Sequence, residues 1–420
     1  MPFGFAVGGH VRRIAGFALI PGISLATTVV LLPIVSHRFG DAGWTSVALG
    51  QSIGSIVAVI ASLGWPTVGG QLVASSGASE TARIYAESLR SRAAVLLAAL
   101  PFAIAIVAIA ARAERPTAIL FTVSVSLNGL SSSWFYAGLG RPRLLVRNEA
   151  SVRLAGYVAS IAVLIGRGPL WSYGAITLVA AGVMLWLNVR FGLGTWSVTA
   201  VSQGEPTMRI LVRHKRGVVG RLAASCFQYA GPLAFSLLHP AGQALYSAIY
   251  QLQNAASNGL GALPQGLIAW VGGADADAKR RRAVRASWVS TSAGLAVFFA
   301  WGAGGRVLAD LLYSGRVHIG VGLNWLVAAA IAVNFVSLCL SFLLLVPLGR
   351  SGFVFAAMGL VSVAATVVLC VAARFAGVTG GVFASFFYGA VLLIAFVWRS
   401  RNTRLPGIPR NAVTQTNGDV

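Results

Sequence analysis

A stripe of polar side chains interrupts an apolar stretch in the second half of the chain. Ser247, Gln251, Asn254 and Asn258 follow one another at spacings of four, three and four residues, with Gln253 beside them. On a helix this spacing places the stripe on one face. Amides both donate and accept hydrogen bonds, so the stripe suits a hydroxyl-rich ligand lining a cavity. The alternative is hydrogen bonding to neighbouring helices within a bundle.

Two further amides lie inside apolar stretches. Asn128 has Ser124 and Ser131 before and after it at helical spacing, and Gln228 is next to Tyr229. We interpret Asn128 and Gln228 as candidates for the same ligand-binding face. Hydrogen bonds between helices are again the alternative.

Three arginines adjoin apolar stretches, where a guanidinium can bind an anion through its planar fork. Arg153 and Arg221 lie about one turn inside predicted helices, and Arg38 lies at the end of the first apolar stretch. We predict that Arg153 and Arg221 capture an anionic group and that Arg38 is a counterpart on the other side. Alternatively, the first two extend to a membrane surface, Glu149 pairs with Arg153, and Arg38 is an ordinary loop charge.

The composition places these side chains in membrane-spanning helices. Of the 420 residues, 57% are hydrophobic and 10% are charged, whereas soluble domains carry about 25% charged residues. The apolar runs approach the roughly 20 residues that a helix needs to cross a bilayer. We therefore predict an all-α integral membrane protein with about twelve spans, at residues 14–36, 43–65, 93–112, 117–139, 151–166, 170–191, 217–238, 241–271, 286–304, 319–348, 352–373 and 378–398.

The net charge of +22 is concentrated in one set of alternate loops, which includes Arg83, Arg90 and Arg92. Basic loops mark the cytoplasmic side of spanning helices, so we predict two cytoplasmic termini in a bacterial inner membrane and no nucleic-acid partner. All ten acidic residues are predicted to lie in loops or at helix ends. Coupled carriers usually keep a carboxylate within the membrane, so this distribution disfavours a proton- or sodium-coupled drug carrier.

The chain divides near its midpoint. We predict an N-terminal six-helix half at 1–192, a cytoplasmic linker at 193–216, a C-terminal six-helix half at 217–398 and a cytoplasmic tail at 399–420. A shift of 202 residues superimposes His37, Gly40 and Gln51 on His239, Gly242 and Gln253. This match indicates a duplication of two pseudo-symmetric halves, a pattern of secondary transporters with a site between the halves.

Recognisable catalytic motifs are absent from the sequence. It contains no Walker A, GxSxG, HExxH or CxxC pattern, and its three cysteines lie in apolar runs without metal-ligand spacing. We therefore predict no cofactor, no metal and no enzymatic activity. A membrane-embedded glycosyltransferase or polymerase is the alternative of another class. Such an enzyme would need paired catalytic acids or a large external loop. The longest predicted external loop, near 304–318, is short.

Three motifs resemble those of a known family. LPIVSHRFGDAGWTSVALG at 32–50 is similar to the first helical junction of polysaccharide and oligosaccharide-lipid flippases (Wzx-like) of the multidrug/oligosaccharidyl-lipid/polysaccharide (MOP) exporter superfamily. WFYAGLGRPRLL at 134–145 resembles the aromatic end of their fourth helix and its basic loop, and YGAITLVAA at 173–181 resembles their sixth helix. The resemblance covers almost the whole chain and implies a MATE- or flippase-like fold.

The resemblance implies export of a polyprenyl-(pyro)phosphate-linked oligosaccharide by alternating access, for surface polysaccharide biosynthesis. The expected partners are this undecaprenyl-type substrate, membrane lipid, and a polysaccharide polymerase and glycosyltransferases. A multidrug or small-solute secondary transporter of the same superfamily is the alternative that shares the fold.

Overall fold

The computed structural model describes residues 7–192, 215–261, 264 and 276–401. Side chains at 7–29 and at a few other positions, including Arg221, lie outside this description. All secondary-structure elements in the described ranges are helical. The α-helices are α1 (Val7–Ala61), α2 (Trp65–Ser75), α3 (Ala78–Ala110), α4 (Arg115–Ser126), α5 (Ser133–Gly138), α6 (Pro142–Leu145), α7 (Ser151–Ile165), α8 (Leu170–Gly192), α9 (Lys215–Leu238), α10 (Gln243–Leu260), α11 (Ala276–Leu312), α12 (Val321–Cys339) and α13 (Ser351–Arg401).

Four short stretches connect or extend these helices. One 3-10 turn, Leu127–Leu130, follows α4, and another, Pro240–Gly242, precedes α10. The π-helical stretches Val146–Ala150 and Leu340–Leu345 precede α7 and extend α12. A π-helical turn changes the register of the side chains that follow it, so it helps to set the direction of Arg153 in α7.

The longest helices, α1 and α13, are each helical hairpins. Gly40 (φ 59°, ψ −154°) and Gly377 (φ 58°, ψ −140°) interrupt them with backbone angles that favour glycine. A Cβ at Gly43 would lie 3.2 Å from the side chain of Val35. In a straight helix, residues eight apart are separated by about 12 Å along the axis. The chain therefore reverses at Gly40, and a contact of Gly380 with the Ala372 backbone shows the same reversal at Gly377.

Each predicted apolar segment has a helical counterpart in the described residues, although several helices extend further than predicted. Helix α3 begins at Ala78 instead of residue 93, and α11 spans Ala276–Leu312 instead of 286–304. Their first turns are charged, so an apolar window misses them. Conversely, α10 ends at Leu260, and most of the remainder of the predicted segment 241–271 lies outside the described residues, as do the linker 193–214 and the tail beyond residue 401.

Long apolar helices with apolar outer surfaces identify a multi-pass integral membrane protein. Eight helices of the described ranges are long and apolar enough to cross a bilayer, and 222–238 is a shorter apolar helix. Large side chains on them are exposed, including Phe375 at 84% and Ile109 at 78%. Exposed apolar surface of this extent is favourable when lipid surrounds the helices.

Helix packing separates the two halves and joins them mainly through α1. In the N-terminal half, α4 packs on α1 and α8, and α7 packs on α8. In the C-terminal half, α13 packs on α9 and α12, and α12 packs on α11. Between the halves, α1 packs on α9 and α10.

Hydrogen bonds seal the halves together at one end, which we name the closed end. Ser36 Oγ donates to the Tyr313 carbonyl (2.9 Å), and the Trp44 indole donates to the Ala244 carbonyl (3.0 Å). Gln251 Nε2 donates to the Trp44 carbonyl (3.2 Å), and the Trp44 and Tyr313 rings pack edge to face with centroids 5.2 Å apart. The closed end holds the junctions predicted to be external, so the cavity between the halves faces the opposite side.

Candidate functional site between the two halves

A cavity of about 340 Å³ lies between the halves, and we name it the central cavity. Its walls come from α1, α4 with the following 3-10 turn, α7, α8, α9 and α10. An adjoining space of about 320 Å³ shares Ser55, Asn128 and Arg153 with it and continues to Ser62 and Ser133. This path leads away from the closed end, toward the side predicted to be cytoplasmic.

Arg153 is the one charged side chain among the described residues that line these two cavities. Its Nη2 donates to Asn128 Oδ1 at 2.8 Å and lies 3.7 Å from the Met184 sulfur. Its Nε is buried and has no hydrogen-bond partner within the described part of the chain. The guanidinium thus keeps unused donors beside the path that leads away from the closed end. A half-buried guanidinium with unused donors can bind an anion through charge-assisted hydrogen bonds.

The predicted stripe on α10 is divided between the cavity and the closed end. Asn254 and Asn258 line the central cavity. Gln251 also lines it, but its amide donates a hydrogen bond to the Trp44 carbonyl at the closed end. Ser247 is fully buried, so it does not continue the stripe into the cavity as predicted.

A second cavity, of about 290 Å³, lies within the C-terminal half and is named the C-half cavity. The predicted residues Gln228, Gln253 and Asn254 line it, and Asn254 also lines the central cavity. Sequence reasoning missed the opposite wall, which α12, its π-helical extension and α13 provide. A polar stripe at helical spacing marks that wall in an otherwise apolar stretch: Asn334, Ser337 and Ser341. The Asn334 amide donates to the Ser385 carbonyl on the neighbouring α13, and Ser385 and Tyr388 line the same cavity.

Of the other two predicted arginines, Arg38 lies outside the cavities, and the side chain of Arg221 is not described. Arg38 donates a hydrogen bond to the Leu164 carbonyl, and its guanidinium lies 5.0 Å from the centre of the Phe39 ring. These contacts place it at the closed end, outside the cavity linings described above. Arg221 belongs to α9, but its side chain is outside the described residues.

Glu149 contradicts the expectation that acidic residues lie only in loops or at helix ends. It lies within a candidate span and is 1% exposed. Its carboxylate accepts hydrogen bonds from Ser131 Oγ, the Ser132 backbone N–H and Asn188 Nδ2 at 2.8 to 3.1 Å. It makes no ion pair with Arg153 within the described residues. Its donors come instead from the loop before α5 and from α8.

Arg92 was assigned to a basic loop, and this prediction is wrong as well. Its side chain is fully buried in α3 and donates to the carbonyls of Gly129 (3.2 Å) and Ser131 (2.8 Å) and to Ser88. The guanidinium lies 5.6 Å from the Trp134 ring centre. Arg92 and Glu149 thus bracket the break between α4 and α5, where backbone groups lack helical partners.

Solved structures share this architecture at low sequence identity. A MATE multidrug transporter named DinF-BH matches with a TM-score of 0.59 and 15% identity over 94% of this chain and 96% of its own. The eukaryotic MATE transporter AtDTX14 matches with a TM-score of 0.56 and 14% identity over 94% of this chain and 97% of its own.

The chain has a MATE-like fold. An inward-facing multidrug resistance MATE family transporter of the MOP superfamily also matches, with a TM-score of 0.51 and 13% identity over 96% of both chains. No family model matches the sequence, and no curated relative matches it. The MATE-like fold confirms the predicted fold class. At these identities it says nothing about the substrate.

Proposed function

We propose that the chain is a transporter, not an enzyme, which moves a polyprenyl-(pyro)phosphate-linked oligosaccharide from the cytoplasmic to the outer leaflet by alternating access. The observation that carries the proposal is Arg153, a cation with unused donors in a cavity otherwise lined by neutral side chains. Asn254 and Asn258 add amides, which suit sugar hydroxyls. A substrate that is anionic at one point and hydroxyl-rich elsewhere matches this lining.

The multidrug alternative is supported by the names of the similar structures and by the buried carboxylate of Glu149. Two observations weigh against it. Arg153 would repel an organic cation from the central cavity. Glu149 lines none of the cavities described here, and three donors hold its carboxylate inside the N-terminal half. The described lining residues also include no carboxylate, so they offer a glycosyltransferase or polymerase no acid pair.

The test is transport by purified protein in proteoliposomes, with an undecaprenyl diphosphate-linked disaccharide as the probe. Hydrogen bonds to a charged group contribute about 1.5–3 kcal/mol, so Arg153→Gln should slow export by roughly 10- to 100-fold. Arg153→Lys should recover part of the rate, because it keeps the charge and loses the fork. Arg147→Gln is the matched control, since Arg147 is exposed and stacks on Phe191. Wild-type export by Arg153→Gln would overturn the proposal.

The localisation and partners are part of this proposal. The basic loops favour a bacterial inner membrane with both termini in the cytoplasm, where polyprenyl-linked sugars are assembled. Under this proposal, glycosyltransferases would supply the substrate and a polysaccharide polymerase would consume the product.

A further inference from the structure

The C-half cavity is uncharged along its whole described lining, in contrast to the central cavity. Its polar groups are amides and hydroxyls from four helices, with Gln228 on α9, Gln253 on α10, Asn334 on α12 and Ser385 on α13. Phe227 and Tyr388 add aromatic surface, with ring centroids 4.8 Å apart. A wall that mixes neutral hydrogen-bonding groups with aromatic faces fits a ligand that has hydroxyl groups around an apolar ring face.

Gln253 shows that this cavity holds unused hydrogen-bonding capacity. Its Nε2 atom is buried and has no hydrogen-bond partner in the described ranges. Buried polar atoms are nearly always paired, so the Gln253 amide keeps N–H donors that a ligand in this cavity can use. An interhelical structural role would instead have supplied a partner from a neighbouring helix.

Asn334 presents an acceptor in a fixed orientation. Its Nδ2 donates to the Ala330 carbonyl at 2.8 Å and to the Ser385 carbonyl at 3.0 Å, which uses both N–H groups. The amide therefore cannot rotate freely, and Oδ1 is left to accept from a ligand hydroxyl. The unpaired donor of Gln253 on α10 and the fixed acceptor of Asn334 on α12 therefore line the same cavity.

The two halves carry related cavities with different chemistry. The predicted repeat superimposes Gln51 on Gln253, and each glutamine lines a cavity within its own half. The cavity in the N-terminal half includes Arg153, whereas no described residue of the C-half cavity is charged. Asn254 and Tyr250 line both the central cavity and the C-half cavity, so the two cavities adjoin at these side chains.

We infer that the C-half cavity is a binding site for neutral carbohydrate, which holds sugar residues of the substrate while Arg153 holds its phosphate. This inference rests on the proposed function for the identity of the second, anionic group. It assigns the sugar to Gln253, Asn334 and Tyr388, and the anion to the other half. Recognition of both groups at once would select glycosylated lipid over the bare lipid carrier.

The experiment compares binding of two probes to the purified full-length protein in nanodiscs: undecaprenyl phosphate, and the same lipid bearing one hexose. The unsubstituted protein should bind the glycosylated probe more tightly. Gln253→Leu removes one hydrogen bond to the sugar and should lower the affinity for the glycosylated probe about five- to tenfold. The affinity for the bare lipid should stay unchanged. Tyr388→Leu should act in the same direction by removing the aromatic face. Gln243→Leu, on the same helix but away from the cavity, is the matched control.

The outcomes separate this inference from the proposed function. Equal affinity for the two probes in the unsubstituted protein overturns the carbohydrate site, as does an unchanged glycosylated-probe affinity in Gln253→Leu. Arg153→Gln should lower the affinity for both probes. Unchanged affinities in this variant would overturn the anion assignment alone. Thermal unfolding of Gln253→Leu is the folding control. Because the Gln253 amide N–H groups bond no described residue, the unfolding temperature should not fall.

Discussion

Trp44 is the best single position at which to test alternating access, because it joins the two halves at the closed end. Trp44→Phe keeps an aromatic ring against Tyr313 and keeps the backbone carbonyl that Gln251 contacts, but it removes the indole N–H bond to Ala244. A neutral hydrogen bond contributes about 1 kcal/mol, so the variant should favour separation of the closed end by about fivefold. Gln251→Leu removes the second hydrogen bond. The double variant should favour separation of the closed end by about 25-fold if the two effects are independent.

The assay is labelling of a cysteine at Gln51 with a membrane-impermeant maleimide added outside intact cells. The background lacks Cys226, Cys339 and Cys370. Gln51 lines the central cavity, so external reagent reaches it only when the closed end separates. The labelling rate should rise about fivefold in Trp44→Phe, in line with the shifted population. An unchanged external rate would refute the reasoning. The control Trp171→Phe, at an exposed indole, should leave the rate unchanged; an equal rise there would refute it too.

Three further predictions follow from the geometry. A cysteine at Asn254 should react with impermeant maleimide from the cytoplasmic side, while cysteines at Ala248 and Leu252, which are buried in the core, should react much less. Equal labelling would reject the stripe as a cavity wall. A reporter fused near residue 312 should be external, and a cytoplasmic signal there would reject the topology. Glu149→Gln should lower the unfolding temperature in detergent through a loss of about 1–3 kcal/mol, and an unchanged unfolding temperature would contradict its structural role.

Much of the fold was predictable because local sequence determines it. The apolar runs located the helices, and the motif at 32–50 located the reversal at Gly40, where a glycine angle is required. The polar stripe on α10 was recognisable from spacing alone, and Asn254 and Asn258 line the central cavity. The same reasoning applied to Asn334, Ser337 and Ser341 would have predicted the C-half cavity wall, so that omission was avoidable.

The buried charges were not predictable, because distant parts of the chain create their environment. The sequence near Arg83 and Arg90 predicts that Arg92 is a charged loop residue. Its hydrogen-bond acceptors are instead backbone carbonyls 37 and 39 residues away. Glu149 reads as a helix-end partner of Arg153, yet Asn188, 39 residues away, supplies one of its donors. Spacing within one helix cannot show which side chain faces a break in another helix. Electrostatic contacts of this kind depend on the tertiary structure.

The charge of the central cavity leads to a prediction about energy. If the substrate is an anion, its export from a cell with a negative interior is electrically downhill. One elementary charge moved through 100 mV corresponds to about 2.3 kcal/mol, or roughly a 50-fold change in the equilibrium ratio between the leaflets. Arg153 can neutralise one charge while the substrate crosses, which lowers the cost of moving the anion through a low dielectric. The empty carrier then returns with a net positive charge, and the same potential favours that inward step.

Over a complete cycle the protein returns to its starting state, so only the substrate's charge is moved. An inside-negative potassium diffusion potential in proteoliposomes should therefore accelerate export of the undecaprenyl diphosphate-linked disaccharide and raise its final outer-to-inner ratio. The matched control is the same disaccharide on an uncharged ether of the lipid, whose final ratio should not depend on the potential. If the two probes respond alike, or if neither responds, the potential does not act through the headgroup. Export would then require a coupled ion, and the buried carboxylate of Glu149 would be the first side chain to test.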